Sequence, residues 1–422
     1  MSEWKKVKLG ELCEFINGGS WSDKDYAPEG IPVLKVTNCK NSGFALEDIS
    51  FLPYSLQQKY SQNELRLHDV IIATVGSHPN LVNSSAGRSA IVNSFVTGFY
   101  LNQNAVCIRT KDTSILNQLY FGYYSKYYLF QNYIQMRGKG AANQMRIAIG
   151  SIKDYPMPLP PIAYQTRVAS ILSRYDSLIE NYQKQIKLLE EAAQRLYKEW
   201  FVDLHFPGHE NIKIIDGVPE GWEKKRLGDI TSKFATGLNP RKNFVLGHGN
   251  NYYVTIKNMA NNDVVFDEKC DKVDDEALEK INRRSDLKQG DLLFSGIGTI
   301  GRVFLIDKPV RNWNISESVF TMRPNPEIPS TFLYLVLLDK EIQDYCQSNA
   351  HGCAQKGIRM ADLKAFELLV PSKEILNSFC KISSNLIKQV KNRSSQIRFL
   401  TEARDRFLPK LMSGEIIIKN NK

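Results

Sequence analysis

Two stretches decide the fold of this chain: WKKVKLGEL at residues 4–12 and WEKKRLGDI at residues 222–230. The second stretch repeats the first, because Trp4 recurs as Trp222 at an offset of 218 residues. An offset of this size is far longer than the unit of a solenoid repeat. The sequence therefore predicts two similar globular domains in one chain, related by approximate two-fold symmetry.

The repeat continues beyond these two stretches. Paired segments are LKVTN 34–38 with VTIKN 254–258, DVII 69–72 with DLLF 291–294, GR 87–88 with GR 301–302, AVCIR 105–109 with SVFTMR 318–323, and AANQ 141–144 with CAQ 353–355. The loops between these segments differ in length. Matching segments joined by loops of different length are the pattern expected of two similar domains that carry different binding specificities.

The bulk composition favours a nucleic-acid binder. The chain has 422 residues, which predicts two or three domains, and a formal net charge of +10. An excess of Lys and Arg points to a polyanionic partner. No apolar run reaches the 18 residues of a membrane helix, and the first residues, MSEWKK, lack the apolar region of a secretory signal. Seven scattered cysteines indicate reduced thiols. We therefore expect a cytoplasmic protein without a membrane partner.

Each repeat predicts short strands followed by a helix. In the first copy the strands are expected at residues 33–36, 70–75, 90–92 and 105–108, with a tyrosine-rich helix at 115–135. In the second copy they are expected at 252–256, 292–294, 303–306 and 319–322, with a helix at 331–345. This order predicts α+β domains. We interpret the tyrosines as core residues rather than a base-stacking surface.

A heptad stripe follows each copy. Its first occurrence comprises Val168, Leu172, Tyr175, Ile179, Tyr182, Ile186, Leu189, Ala193, Leu196 and Trp200. At an offset of 211 it recurs as Phe379, Ser383, Leu386, Val390, Arg393, Ile397, Leu400, Arg404, Phe407 and Leu411. Sustained heptads predict two long helices that bury their stripes against each other in an intramolecular coiled coil. The alternative is that each stripe packs on its own domain. We expect Arg404 to face Ala or solvent, or to pair with an acid such as Glu190 or Glu191.

Sequence motifs for catalysis are absent. The run GIGTIG at 296–301 matches a dinucleotide-binding pattern, but the segment after it predicts a strand, so we interpret it as a glycine-rich hairpin. There is neither a P-loop nor the Asn/Asp-Pro-Pro-Tyr/Phe tetrad of base methylation. His205 and His209 are separated by Pro207 and Gly208, which excludes a helical metal face. We expect no catalytic residue, no metal and no cofactor.

Three further segments carry a family resemblance: KEWFVDLHFPGHE at 198–210, LPKLMSGEI at 408–416, and PLPPI at 158–162, which leads into Gln165 and Val168. Together they resemble the DNA specificity subunit of type I restriction-modification enzymes, and the resemblance covers essentially the whole chain. It implies target-recognition domain 1 at residues 1–158, a conserved long helix at 159–206, a linker at 207–220, target-recognition domain 2 at 221–369, and a second conserved helix at 370–422.

The resemblance also implies a function. Such subunits are non-catalytic, and each recognition domain reads one half of a bipartite, asymmetric site in double-stranded DNA. The two helices form an antiparallel, pseudo-two-fold coiled coil that sets the spacer and docks two modification (methyltransferase) subunits. Restriction (translocase and nuclease) subunits join this core. The assembled complex is an adenine-specific DNA methyltransferase and endonuclease.

Polar loops at equivalent places in the two copies supply candidate DNA contacts, because Arg, Lys, Asn, Gln, Ser and Thr are the residues that bind phosphates and base edges. The candidates are Lys35, Thr37, Asn38, Ser77, His78, Asn80, Arg88, Lys139, Asn143, Gln144, Arg146, Lys257, Asn258, Thr299, Arg302, His351, Gln355, Lys356 and Arg359. For the coiled coil and subunit docking they are Tyr175, Ile179, Tyr182, Ile186, Leu189, Leu196, Trp200, Leu386, Val390, Ile397, Leu400, Phe407 and Leu411.

Two other functions stay open from the sequence. One is a self-contained restriction or modification enzyme whose catalytic site is too divergent to recognise. The other is a structural coiled-coil adaptor whose positive charge is incidental. Catalysis by the purified chain would distinguish the first, and binding that is indifferent to DNA sequence would distinguish the second.

Overall fold

The computed structural model describes residues 4–40, 43–46, 49–77, 85–141, 144–260, 262–268, 270–352 and 356–416. It divides into two compact units, Met1–Leu178 with Leu400–Lys422, and Ile179–Phe399. The helices are Leu9–Leu12 (α1), Gln118–Tyr124 (α2), Tyr128–Gln135 (α3), Ile149–Lys153 (α4), Ile162–Tyr197 (α5), Asp275–Ser285 (α6), Ser330–Leu338 (α7), Lys340–Ser348 (α8), Met360–Lys364 (α9) and Lys373–Met412 (α10). Across the described ranges, no helix combines the length and apolar character needed to cross a membrane.

The first unit contains the first of the two repeated domains. Its strands are Lys5–Lys8 (β1), Cys13–Asn17 (β2), Ile31–Leu34 (β3), Cys39–Lys40 (β4), Gly43–Phe44 (β5), Ser50–Leu52 (β6), Val70–Ala73 (β7), Val75–Gly76 (β8), Ser89–Ile91 (β9), Tyr100–Leu101 (β10), Ala105–Thr110 (β11), Lys139–Ala141 (β12), Gln144–Arg146 (β13) and Pro156–Leu159 (β14). The central sheet has the order β2-β11-β7-β9, and a second sheet has the order β10-β3-β6. The smaller sheets are β12-β13-β8, β1-β14 and β4-β5.

The second unit contains the second of the two repeated domains. Its strands are Ile214–Ile215 (β15), Val218–Pro219 (β16), Glu223–Arg226 (β17), Thr231–Thr236 (β18), Asn251–Val254 (β19), Met259–Ala260 (β20), Asp263–Val264 (β21), Asp271–Val273 (β22), Leu292–Ser295 (β23), Val303–Leu305 (β24), Trp313–Ile315 (β25), Val319–Pro324 (β26), Ala350–His351 (β27), Gly357–Ile358 (β28) and Glu367–Val370 (β29). The central sheet has the order β18-β26-β23-β24, and a second sheet has the order β22-β19-β25. Further pairs are β17-β29, β20-β21, β27-β28 and β15-β16.

The two domains share one topology. In each, the first strand pairs antiparallel with the last, β1 with β14 and β17 with β29. In each, one parallel pair occurs at the same place, β3 with β10 and β19 with β25. The expectation of a repeated α+β domain is therefore confirmed, and the predicted strands lie within a few residues of the observed ones.

A buried ion pair stabilises the central sheet of each domain. The guanidinium of Arg109 donates to both oxygens of Asp69, at 2.8 and 2.7 Å. In the second domain Arg323 makes the same two bonds to Asp291, at 2.7 and 2.9 Å. The Asp69 and Asp291 side chains are 4% and 1% exposed. Paired hydrogen bonds of this kind offset the cost of burying a carboxylate.

The long helices run antiparallel within the first unit. Tyr164 of α5 donates to the backbone carbonyl of Leu411 at 2.7 Å, and Asp176, further along α5, contacts Arg404 at 2.6 Å. Because the α10 residue number falls as the α5 number rises, the two segments are antiparallel. Val168 and Leu172 pack in the same core as Leu408, Leu411 and the domain itself.

The same arrangement occurs within the second unit. Gln185 of α5 accepts a hydrogen bond from Arg393 of α10 at 2.9 Å, and the rings of Trp200 and Phe379 lie 5.6 Å apart. The guanidinium of Arg393 also lies over the ring of Tyr182. In both units the helix ends are part of a domain core, so the stripe packs against the facing helix and also against its own domain.

Four details of the predicted helices were wrong. The tyrosine-rich helix is broken into α2 and α3, and the helix predicted at residues 331–345 is broken into α7 and α8. The carbonyl of Ser125 at the first break accepts from the amide of Gln131 at 2.6 Å, and the carbonyl of Leu337 accepts from Gln343 at 2.6 Å. Each glutamine thus satisfies a carbonyl that the helical ladder leaves free.

The other two details concern the ends and the seam of the coiled coil. Trp200 does not lie on the α-helix but in a π-helical turn, Lys198–Val202, which follows α5. Arg404 pairs with Asp176 and Asp405 rather than with Glu190 or Glu191. Of the two predicted partners, Glu190 instead accepts from Asn262 at 2.6 Å. The partner of a seam arginine depends on helix register and on nearby loops, which heptad spacing does not specify.

Candidate nucleic-acid interface

Three loop segments meet in the first domain, and their described residues form what we call loop cluster 1: 35–40, then 75–77 with 85–88, then 139–141 with 144–146. The guanidinium of Arg88 donates to the backbone carbonyl of Cys39 at 2.6 Å, which joins the first two segments. Strand β8 pairs with β13, with Gly76 opposite Met145, which joins the second segment to the third. Contacts between residues 49 and 69 positions apart therefore fix neighbouring segments side by side.

Loop cluster 2 repeats these contacts in the second domain with the described residues 255–260, 296–302, 350–352 and 356–359. Arg302 donates to the carbonyl of Met259 at 3.4 Å, the counterpart of the bond from Arg88. Ile297 forms an isolated bridge with Gly357, and the backbone N–H of Gly298 donates to the carbonyl of Lys356 at 2.8 Å. The structure thus brings together, in each domain, the polar loops that the sequence singled out.

The glycine run at 296–301 lies at the centre of loop cluster 2. Strands β23 and β24 flank it and pair antiparallel, with Phe294 opposite Val303, so the predicted hairpin is confirmed. Gly301 has φ +95, and a Cβ there would lie 2.0 Å from the side-chain oxygen of Gln343. Gln343 also donates to the Gly301 carbonyl at 3.0 Å. The sequence did not single out Gln343, whose only signal is its match to Gln131 in the repeat.

Two of the candidate contacts have a structural role. Asn38 and Asn258 are 6% and 8% exposed. The side-chain oxygen of Asn38 accepts from the N–H of Lys35 at 2.9 Å, and its amide donates to the Ala45 carbonyl at 3.0 Å. Asn258 accepts from the N–H of Thr255 at 2.9 Å. These side chains fold the first segment of each cluster, so they leave little hydrogen-bonding capacity for DNA.

Most of the other described candidates lie at the surface. The exposed ones are Thr37, Lys139, Arg146, Lys257, Thr299, Arg302, His351, Lys356 and Arg359. Lys35, Ser77 and Arg88 are half-buried, and the ammonium of Lys35 donates to the Ser50 hydroxyl at 2.8 Å. His78, Asn80, Asn143 and Gln355 lie outside the described residues, as does the side chain of Gln144. The two clusters thus present different exposed residues on a common frame, with Thr37 at the place that Lys257 has in the repeat.

A charged cavity of about 560 Å³ lies beside loop cluster 1. Its lining includes Arg88, Lys126, Arg404 and Asp405. Burial lowers the pKa of Lys126, and the carboxylate of Asp176 opposes this shift. The carboxylate of Asp176 also accepts from the hydroxyl of Tyr123 at 2.6 Å. The first domain therefore has a cluster of charged side chains where α10 meets it.

The histidine pair after α5 belongs to a turn. The rings of His205 and His209 have centroids 5.3 Å apart, and Nδ1 of His209 lies 2.9 Å from the carbonyl oxygen of Phe206. Within the part of the chain that the structure describes, no three His, Cys, Asp or Glu side chains gather closely enough to hold a metal ion.

The stripe residues of the long helices are mostly shielded from solvent. Every docking candidate is buried or half-buried except Phe407, which is 42% exposed although its ring centroid lies 6.3 Å from that of Tyr175. Outside the stripe, Leu188 and Phe399 are 64% and 60% exposed. The seam is therefore occupied by contacts within each unit, and the exposed apolar side chains lie on other faces of the helices.

Two copies of one α+β domain, each with a polar loop cluster and each built onto segments of two long helices, define a tandem recognition protein. The sequence matches the family described as type I restriction modification DNA specificity domain over residues 1–191 and 219–397, and the chain belongs to that family. It carries two copies of the DNA specificity domain.

Individual relatives agree with this assignment. The MjaIX type I restriction enzyme specificity subunit of Methanocaldococcus jannaschii is 27% identical over 277 residues, and the match spans 64% of this chain but only 62% of that relative's length. The HindI specificity subunit of Haemophilus influenzae is 20% identical over 484 residues, which cover 99% of this chain and 100% of the relative. The crystal structure of a type I restriction-modification S subunit from M. genitalium superposes with a TM-score of 0.56 at 18% identity, covering 97% and 96% of the two chains. That likeness shows a shared fold.

Proposed function

We propose that this chain is the non-catalytic DNA specificity subunit of a type I restriction-modification complex. Each recognition domain reads one half of a bipartite, asymmetric site in double-stranded DNA. The observation that supports this proposal most strongly is the repetition of one loop cluster with different exposed side chains. Two similar loop clusters with different exposed side chains suit a DNA site whose two halves differ in sequence.

Recognition within each cluster combines two kinds of contact. Lysines such as Lys139 and Lys257 contact phosphates, which contributes affinity at any sequence. Arginines such as Arg146 and Arg359 reach base edges in the major groove, where guanine offers two acceptors to a guanidinium. The different exposed residues of the two clusters then give each domain its own half-site.

The long helices set the spacer and dock the modification subunits in this proposal. At about 1.5 Å per residue, the 36 residues of α5 extend about 54 Å. Half-sites one DNA turn apart are separated by about 34 Å, which a helix of this length can span. Two methyltransferase subunits dock on the helices, where Leu188 and Phe399 expose apolar surface, and restriction subunits join them. Adenine methylation and cleavage are activities of that cytoplasmic complex and not of this chain.

Methylation mapping tests the proposal directly. Single-molecule sequencing would compare a host that expresses this chain with its cognate modification subunit and a host that lacks the chain. We expect a split, asymmetric motif with methyladenine in both halves, present only when the chain is expressed. A continuous motif would favour a self-contained enzyme instead, and methylation that does not change without the chain would favour the adaptor.

A further inference from the structure

We propose that Lys391 of α10, together with Glu190 of α5, positions loop cluster 2 for DNA reading. The inference rests on the proposed function and adds two positioning residues that lie outside the DNA-contacting loops. Two backbone segments are involved: the β20-β21 hairpin, and β24, the strand that follows the glycine run at residues 296–301. Both are held by one buried ammonium group.

Lys391 lies under the hairpin turn and is 11% exposed. Its Nζ donates to the backbone carbonyl of Asn262 at 2.6 Å and to that of Leu305 at 2.9 Å, and an oxygen of Asp307 lies 3.9 Å away. A buried ammonium is stable only where such acceptors surround it. The two carbonyls therefore fix the amine, and the amine in turn fixes two separate backbone segments.

The other long helix, α5, contacts Asn262 through the side chain of Glu190. The amide of Asn262 donates to the carboxylate of Glu190 at 2.6 Å, and Asn262 has φ +58, in the left-handed region. A carboxylate of Asp263 lies 4.0 Å from Arg398. Asn262 is thus tied to α5 by its side chain and to α10 by its main-chain carbonyl.

This turn is connected to the residues that face DNA in the proposal. Met259 pairs with Val264 across the hairpin, and its carbonyl accepts from Arg302. Lys257 lies two residues before Met259, and Leu305 lies three residues after Arg302. One ammonium therefore supports both loops, and DNA readout fails when contact residues shift by about 1 Å.

The first copy of the repeat has other residue types at the positions of Lys391 and Glu190. At the helix offset of 211, Lys391 corresponds to Glu180, which forms an ion pair with Lys184 on the same helix at 3.1 Å. Glu190 corresponds to Thr401. A change at Lys391 should therefore affect the reading of only one half-site, which separates a positioning role from general stabilisation.

The test uses the full chain in complex with its modification subunits and duplexes that carry the mapped site, intact or with either half scrambled. Lys391→Met should lower the discrimination between intact and scrambled second half-site by about tenfold, the size of one lost base contact. Discrimination of the first half should stay as in the wild type. Lys391→Arg, which keeps the donors, should restore most of the loss.

Lys388→Met is the matched control, because Lys388 is an exposed lysine of the same helix. It should behave like the wild type in both halves. Glu190→Gln, which keeps an acceptor for Asn262, should also keep discrimination within about twofold.

Four outcomes would overturn the inference. Full discrimination by Lys391→Met, or an equal loss in both halves, excludes a positioning role. If Lys391→Met does not fold, Asn262→Gly keeps the left-handed turn while removing only the bond to Glu190, and it should lose about threefold in the second half alone. No such loss would contradict the role as well. A wild-type complex without discrimination in either half would instead refute the proposed function, and the inference with it.

Discussion

The two recognition domains are alike within their sheets and different where they meet the long helices. Both contain the buried Asp–Arg pair and the bond from a loop arginine to a backbone carbonyl. At the helices, the first domain has Lys126, Asp176 and Arg404. Lys126 corresponds to Leu338 at an offset of 212, and Asp176 and Arg404 correspond to Ile387 and Ala193 at an offset of 211. In the second domain, Ile387 and Ala193 belong to the apolar core and Leu338 packs against it.

This difference shows which contacts the fold requires and which are specific to one domain. The Asp–Arg pair joins two strands of the central sheet, so any domain with this topology can use it. The helix contacts vary between a charged cluster in one unit and apolar packing in the other. Each domain can therefore be tested separately, with the other as an internal standard.

The largest expected effect follows from breaking the buried ion pair. Asp291→Ala should destabilise the second domain by about 3 kcal/mol, because Arg323 then loses its buried partner. Asp69→Ala should do the same to the first domain alone. Hydrogen exchange of peptides from each domain measures both effects. The control Asp154→Ala removes an exposed pair with Lys8 and should leave the stability of the first domain nearly unchanged. Equal destabilisation of both domains by either variant would contradict their independence.

A smaller effect is expected at the charged cluster of the first unit. Arg404→Leu should destabilise that unit by about 2 kcal/mol, because Asp176 keeps its charge but loses its arginine. Arg406→Leu, an exposed position of the same helix, should change stability by less than about 0.5 kcal/mol.

A triple variant sharpens the comparison at this cluster. Lys126→Leu, Asp176→Ile and Arg404→Ala together copy the apolar packing of the second unit. They should cost less than Arg404→Leu alone, since replacing a whole charged group by apolar residues is often neutral. A triple variant that is less stable than the single one would show that the two packings are not interchangeable.

The smallest effect is a pH dependence in the second unit. Burial raises the pKa of Glu190 above its usual value, while the bond from Asn262 opposes the shift. The folded state therefore binds this proton more tightly than the unfolded state, so the contribution to stability is present at acidic pH and is lost as pH rises through the folded pKa. Glu190→Gln should remove that dependence and raise stability at neutral pH by at most about 1 kcal/mol. Unfolding midpoints measured from pH 4 to 8 would check this, and an unchanged profile would contradict it.

Much of this architecture could be predicted because it is periodic or repeated. The heptads located α5 and α10, and the matched segments located the central strands and the three loops of each cluster. These signals are local, since strand and helix periods depend on neighbouring residues.

The remaining contacts depend on the three-dimensional positions of particular side chains, which a periodic sequence pattern does not specify. The breaks after α2 and α7 depend on Gln131 and Gln343, which reach back to Ser125 and Leu337. The burial of Asn38 and Asn258 reverses their expected exposure, because an asparagine that caps a turn looks the same in sequence as one that faces DNA. Lys391 lies on a helix 129 residues after Asn262, so no local pattern could pair them.

One exchange tests most directly whether each domain reads its own half-site. Residues 1–158 would be replaced by the corresponding domain of a relative whose half-site differs, which leaves Lys391, Glu190 and loop cluster 2 intact. Methylation sequencing of a host with the modification subunit then gives the new motif. The account predicts that one half of the motif changes while the other half and the spacer stay the same. A change in both halves, or in neither, would contradict it.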